Sequence, residues 1–562
     1  MTPSRAAPRA LLRFFLAGGL GGCLALSGPP LSQYALAALP AFAFSPLLLL
    51  LVRDQSPGRA ALLGLVAGVG FGAYSLRFTL DVLARFADLG TLSALPVALL
   101  LALLQALPLA LATGGARLAD TPSSSRLHLT LPLAIVAAFG FTPVLFPWHL
   151  GHFTLPWLAW AQQAELGGLP LVDLLTALLG CCALEAWRAR SRPLAVASGL
   201  LLLLPALHGY GSLDAVEQGR ARAPALRVGV VQPNVSVAAL RGGLSPAARL
   251  ERLEGLTRQA EALGAQLVLW PEAAYPLTLS RASLADRAPE TLAGLGPRRA
   301  RRAALHAPSA AGEPDPLGEP DPLGEPDPLG EPDTSTATGP PAGVPRVLGA
   351  MSAAGRCETW NTLVAVDAAG RPLAHVDKRE LFPFAEYVPF WSWSPWLQRR
   401  YPCAGEQSED QDPVVEVSHA RLGLLNCYED VGPERARRAT RAGAQLLLNF
   451  SNDAWFGSSV QPELHRVVAR FRAIETRRDL VRVVNTGASG HISATGQELL
   501  VLARHQPTAA VVDARLLTGT TLSVRVGAWV AVLALLVLTL LGLTRLPLAR
   551  RGPARQSQPP RG

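Results

Sequence analysis

The chain has 562 residues, more than one domain usually holds, so two or more folding units are expected. It is 49% hydrophobic and 17% charged, against roughly 25% charged in a soluble domain, and its mean hydropathy of +0.26 points to several membrane spans. A net charge of +9 suits a nucleic-acid binder, but the arginines flank apolar runs, where they set membrane topology instead.

A bilayer core of about 30 Å takes about 20 apolar residues per helix. Runs of that kind predict spans at about 10–28, 31–52, 60–80, 91–113, 129–148, 164–186, 194–209 and 526–544. No small-residue cleavage site follows the first, so it is read as a span and not as a leader. Arg5, Arg9 and Arg13 precede it. Arg53 and Arg59 follow the second span, Arg117 and Arg126 the fourth, and Arg188, Arg190 and Arg192 the sixth. Arg545, Arg550, Arg551 and Arg555 follow the last. Arginine marks the cytoplasmic side, so both termini are expected there and the region from about 210 to 522 outside. In a Gram-negative cell the chain is then a multi-pass inner-membrane protein with that region in the periplasm. Six cysteines are too few for a disulfide scaffold. Cys23, Cys181 and Cys182 lie in apolar runs and read as small buried hydrophobes. Cys357 and Cys403 fall in the outer region and are placed to pair if it faces an oxidising compartment.

The outer region alternates short apolar runs, at 227–231, 266–270, 346–350, 362–366, 421–427, 444–450 and 481–485, with helical stretches. Ser245-Pro246 makes an N-cap with proline at the first helical position, and Leu250, Leu253, Leu256, Ala260 and Leu263 then mark one helical face. A second helix at about 461–477 carries Leu464, Val467, Val468, Phe471 and Ile474. Such alternation indicates an α/β layer fold. The pattern stops from about 280 to 344, where Gly-Glu-Pro-Asp-Pro-Leu recurs from Gly312. Two prolines per hexapeptide forbid helix and central strand, so a disordered insertion is expected. The expected organisation is a helical bundle at 1–209, an α/β domain at 222–520, a last span at 523–546 and a cytoplasmic tail at 547–562.

Three strand ends each deliver one reactive side chain. Leu-Val-Leu-Trp-Pro ends at Glu272, His375-Val376-Asp377 at Lys378, and Gly-Leu-Leu-Asn at Cys427. Strand ends are where α/β sheets concentrate function. A thiol is a weak nucleophile until it becomes a thiolate. A carboxylate can take its proton, and an ammonium can stabilise both the thiolate and the oxyanion that follows. These three groups suffice for two-step acyl transfer. No His or Cys has metal-ligand spacing, and neither a metal nor a cofactor is expected.

Glu, Lys and Cys in this order resemble the nitrilase superfamily, whose fold is a four-layer α-β-β-α sandwich. The flanking sequence is similar to that of apolipoprotein N-acyltransferases: Lys378-Arg-Glu-Leu-Phe-Pro-Phe-Ala-Glu386, Cys427-Tyr428-Glu429, Ser451-Asn-Asp-Ala-Trp-Phe-Gly457 with His465 following, and Asn485-Thr-Gly487. About eight spans around one outer domain fit that layout. The resemblance implies that Cys427 takes an acyl chain from a phospholipid as a thioester. It passes the chain to the α-amino group of a lipoprotein's diacylglyceryl-cysteine. Glu272 would be general base and Lys378 the oxyanion stabiliser. Glu386 would support them, Tyr428 and Glu429 would flank the nucleophile, and Asn361 would stand before a strand. The partners implied are the phospholipid donor and the lipoprotein acceptor, with no nucleic acid, and the protein would be a monomer. Two departures stand out: Leu240 and Arg241 occupy a loop that usually carries Trp, and the repeat insertion is unusual. The residues also admit a membrane-anchored nitrilase-type amidase, with water as acceptor, and a degenerate scaffold.

Overall fold

A computed structural model describes residues 6–28, 35–86, 90–120, 125–281, 284, 343–355, 357–383, 385–400, 403, 408–457 and 459–544. The Gly-Glu-Pro-Asp-Pro-Leu repeat, Arg5 and the basic tail from Arg545 lie outside the described residues. The chain divides into two compact units: residues 1–163, 167–207 and 528–562, and residues 164–166 with 208–527.

The first unit is helical. Its helices are α1 (Ala6–Leu26), α2 (Leu39–Val52), α3 (Pro57–Ser75), α4 (Phe78–Phe86), α5 (Thr91–Ala119), α6 (Leu127–Phe141), a short α7 (Leu158–Ala161), most of α8 (Ala164–Ala189), the first half of α9 (Arg192–Arg222) and a last helix, Trp529–Leu543. Among the described residues, Leu92–Ala119, Ala164–Ala189 and Arg192–Arg222 are long and apolar enough to cross a membrane; α3 and α4 pass together but bend by 58°. Leu11–Leu26, Leu36–Val52, Leu127–Phe141 and Trp529–Leu543 are shorter apolar helices. Several expected boundaries move; the fourth span runs on to Ala119 and the last begins only at Trp529. The third stretch breaks at Leu76-Arg77. The fifth stops at Phe141, because Pro143 disfavours helix at Thr142. The seventh runs on to Arg222, since the apolar pattern fades near Leu207 while helix-compatible polar residues continue. Cys181 and Cys182 are buried as expected, but Cys23 is exposed, on the outward side of α1, where an apolar residue meets no penalty in lipid.

Helices of this unit meet at small residues. A Cβ added to Gly21 would lie 1.8 Å from the Ala67 carbonyl oxygen, one on Gly64 2.3 Å from that of Leu109, and one on Gly68 2.5 Å from the Ala106 Cβ. Backbones this close need glycine and alanine, the usual means of helix association in lipid.

The second unit is an α-β-β-α sandwich. One sheet orders its strands β13 (Thr508–Arg515), β1 (Ala225–Gln232), β2 (Leu267–Trp270), β4 (Arg346–Ala353), β5 (Thr359–Val366) and β6 (Pro372–Asp377), with β3 (Leu279–Ser280) beside β4. The other orders β12 (Glu498–Val501), β11 (Gly490–Ile492), β10 (Leu480–Val484), β9 (Leu446–Ser451), β8 (Ala420–Asn426) and β7 (Val414–Val417). Side chains alternate between faces. Val228, Leu269, Val347 and Leu363 therefore meet Leu424, Leu448, Phe450 and Val483 between the sheets. Val268, Trp270 and Leu348 face outward under the helix α11 (Pro246–Ala262). Helices Glu434–Arg441 and Gln461–Thr476 cover the other sheet. Ser245 caps α11 as its sequence predicts, accepting from the Ala248 amide at 3.2 Å.

Candidate active site

Glu272 leaves the end of β2 through Pro271. Its backbone lies so close to β4 that a Cβ on Gly349 would fall 2.3 Å from the Pro271 carbonyl oxygen and 2.7 Å from the Glu272 Cα. Gly349 is needed there for that reason. The Tyr275 amide closes the turn on the Gly349 carbonyl at 2.9 Å. Lys378 continues β6, its amide donating to the Asn361 carbonyl at 2.8 Å. Asp377 before it is fully buried and accepts from Thr362 Oγ1 at 2.7 Å and from Arg281. Cys427 follows β8 in the left-handed region, at φ +48°, which is sparsely populated for a non-glycine residue and costs about 1–3 kcal/mol.

Lys378 Nζ, 2% exposed as a side chain, donates to Glu272 Oε1 at 3.0 Å and to Glu386 Oε1 at 2.9 Å. Asn361 Nδ2 donates to the same two oxygens, at 2.8 and 3.0 Å. Two carboxylates thus share one ammonium and one amide. Burial alone would lower the Lys378 pKa, but Glu272, the Cys427 thiolate and Glu386 outweigh it and hold Lys378 raised, firmly an ammonium. Burial pushes the Cys427 thiol well up, Glu272 adds to this and Lys378 opposes. At rest the sulfur therefore keeps its proton, and an adjacent base has a task to perform.

Glu429 ties the segments of two reactive groups together. Its carboxylate accepts from the Asn426 amide at 2.8 Å and the Arg379 amide at 2.7 Å, and faces Arg435 at 3.5 Å. It thereby fixes the Cys427 turn to the residue after Lys378. Burial raises its pKa, against Arg435. The Tyr428 ring sits edge-on to Phe382, 5.2 Å between centroids.

Two families match the chain: Carbon-nitrogen hydrolase over residues 342–516, and Apolipoprotein N-acyltransferase N-terminal domain over residues 20–182. An apolipoprotein N-acyltransferase from Azotobacter vinelandii is 30% identical over 559 residues, 96% of this chain and 98% of its own. The chain belongs to that family. The apolipoprotein N-acyltransferase from Geobacter metallireducens is 28% identical over 493 residues, covering 85% of this chain and 84% of its own. An amidase from Nesterenkonia sp. is 21% identical over 52% of this chain and 92% of its own, with a TM-score of 0.33.

Of the seven residues anticipated for this apolipoprotein N-acyltransferase family member, six lie in the turns and loops that follow strands; Asn361, expected before a strand, is instead the third residue of β5, where its side chain reaches Glu272 and Glu386. Four others emerge only in three dimensions. Asn426 Nδ2 donates to Asn361 Oδ1 at 2.9 Å, linking the nucleophile's strand to the carboxylate cluster. Asn449 Nδ2 holds the Cys427 carbonyl at 3.2 Å, and Ser451 Oγ lies 3.5 Å from Cys427 Sγ. Asp453 stands behind Ser451, 3.2 Å from its Oγ. Ser451 and Asp453 belong to the Ser451–Gly457 stretch that resembles the family, a resemblance that assigns neither a role. His465 lies in the buried cluster behind Asp453, its Nδ1 3.8 Å from Asp453 Oδ1 and its Nε2 2.5 Å from Asp430, which Arg482 holds at 2.8 Å.

Proposed function

We infer that the chain N-acylates lipoproteins, moving a fatty acyl group from a phospholipid, through a Cys427 thioester, to the α-amino group of an N-terminal diacylglyceryl-cysteine. Membership of the apolipoprotein N-acyltransferase family carries the overall reaction. The observation that supports the route is Lys378 Nζ lodged between Glu272 and Glu386 beside a nucleophile-bearing turn.

In the first half-reaction Glu272 takes the thiol proton and the sulfur attacks the ester carbonyl of the donor. The ammonium of Lys378 has three N–H donors. Glu272 and Glu386 occupy two of them, and the third serves the developing oxyanion. Collapse breaks the ester C–O bond, and the leaving alkoxide takes the proton from Glu272. In the second half-reaction the acceptor's neutral amine attacks the thioester, Glu272 accepts the amine proton, and the sulfur departs to recover it. Asn361 and Glu386 hold Glu272 and Lys378 in register. Glu429 holds the turn, and Tyr428 packs the loop beside it. No metal or cofactor takes part.

The bundle at 1–209 with the span at 523–546 embeds the protein in the inner membrane through about eight crossings. The 222–520 domain works on the periplasmic side, and the protein acts as a monomer. The arginine distribution supports that orientation. The structure also joins Cys357 to Cys403 in a disulfide, a bond suited to an oxidising compartment. Mass spectrometry of lipoprotein N-termini tests the function: cells lacking the chain should accumulate diacylated forms that are one fatty acyl group lighter. Fully triacylated lipoproteins in its absence would refute the assignment.

A further inference from the structure

Behind the Cys427 sulfur lies a polar pair that the reaction outlined above does not use. β8 and β9 run parallel, with Asn426 opposite Phe450, so the next residues along, Cys427 just past β8 and Ser451 at the end of β9, come together at the C-terminal end of these two interior strands. Ser451 is fully buried, and its Oγ stands 3.5 Å from Cys427 Sγ and 3.2 Å from Asp453 Oδ1. Asp453 is 1% exposed, flanked by His465 Nδ1 at 3.8 Å and Arg482 Nη2 at 3.7 Å. It is closed in by Gly487, where an added Cβ would fall 2.3 Å from Asp453 Oδ2.

Ser451 has one hydroxyl proton and two neighbours that can accept it. Burial alone would raise the Asp453 pKa, but His465 and Arg482 outweigh it and hold Asp453 a carboxylate, so Asp453 only accepts. With the sulfur protonated, the carboxylate is the better acceptor, and Ser451 donates to Asp453 while the thiol faces Ser451 Oγ. With the sulfur ionised, the thiolate competes for that proton. Asp453 still has the Arg482 guanidinium close by.

We propose that Ser451 stabilises the Cys427 thiolate by turning its single hydroxyl proton from Asp453 to the sulfur whenever the thiolate forms. The thiol proton goes to Glu272, as in the route above, and Ser451 keeps its own throughout; no bond to Ser451 forms or breaks. The same turn assists both half-reactions, since the sulfur is a thiolate before it attacks the donor ester and again when it leaves the thioester. The proposal rests on Cys427 being the nucleophile.

The charged and titratable groups facing the sulfur are Glu272 after β2, Lys378 after β6 and Asp453 after β9. Their combined effect is read by alkylating the full-length protein with iodoacetamide across pH and quantifying the Cys427 peptide by mass spectrometry, which separates it from the other free cysteines. Ser451→Ala should move the midpoint of Cys427 alkylation up by about one pH unit and slow acyl-enzyme formation about tenfold, the size of one hydrogen bond to a charged group. Ser451→Thr should restore both. Asp453→Asn should move the midpoint the other way, because it removes a negative charge and weakens the rival acceptor. A general packing defect would move both variants in one direction. An unchanged midpoint in Ser451→Ala, or shifts of the same sign in Ser451→Ala and Asp453→Asn, would overturn the proposal while leaving Cys427 the nucleophile. Acyl transfer to the enzyme that survives Cys427→Ala would overturn both.

Discussion

In the helical unit, neighbouring elements touch through backbone: Gly70 against Gly18, Gly64 against Leu109, Gly68 against Ala106. In the sandwich, the largest buried side chains include Arg435, Arg472, Arg482 and Lys378 beside Trp270 and Phe450. Lipid is as apolar as leucine, so a unit embedded in it gains little from burial and must gain from contact. A domain in water gains heavily from burying its apolar strands, and that surplus carries desolvated ions whose geometry then serves chemistry. The sandwich therefore carries charge in its core, and the closest helix crossings of the bundle are made by small residues.

The largest effect that would break this contrast is at a helix crossing. Gly68→Leu should leave little folded protein in detergent, since its Cβ would already overlap Ala106 at 2.5 Å. Gly19→Ala, with nothing within 4 Å of the new Cβ, should purify and melt like the parent. Equal behaviour of the two by size exclusion and thermal unfolding would mean that close contact is not what holds the bundle. In the sandwich, Arg482→Met leaves Asp430, fully buried, with only His465 as a charged neighbour in place of the guanidinium. A loss of about 3–5 kcal/mol is expected, and Asp430→Asn on the same background should recover part of it in denaturant titrations.

Smaller effects sharpen the contrast. Cys357 and Cys403 are 46 residues apart in sequence, so reduction should cost at most about 4 kcal/mol through the unfolded chain's freedom. The melting temperature should fall with a reductant in the parent and be insensitive to it in Cys403→Ser. Smallest of all is Glu380, whose pKa burial and Glu429 push from the ordinary 4.5 to about 7. A carboxyl that holds its proton more tightly when folded stabilises the protein fully below about pH 4.5 and loses that contribution as pH rises through about 7. Glu380→Gln should flatten the stability profile between those values, and an unchanged slope would contradict the burial read for this side chain.

Much of this was legible in the sequence, for identifiable reasons. Leu267–Trp270 and Leu446–Ser451 are short apolar runs, and the chemistry of a carboxylate, an ammonium and a thiol at successive strand ends is readable wherever the strands end. The roles of Asn426 and Ser451 were not, because each depends on which strands pair and in what register. Nothing local marks Ser451 as the neighbour of a cysteine 24 residues earlier. Val414–Val417 and Glu498–Val501 are four-residue strands, too short for a period to declare itself. The extension of α9 to Arg222 escaped hydropathy because a helix does not end where its apolar stretch does.

The central claim is a covalent acyl-enzyme on Cys427, formed before the acceptor arrives. The purified protein, given a phospholipid with a labelled acyl chain and no acceptor, should gain one hydroxylamine-labile acyl group on the Cys427 peptide. The label should then move to the α-amine of a diacylglyceryl-cysteine peptide when that is added. Release of the label mainly as free fatty acid in the presence of acceptor would identify a hydrolase, and labelling that persists in Cys427→Ala would contradict the site itself.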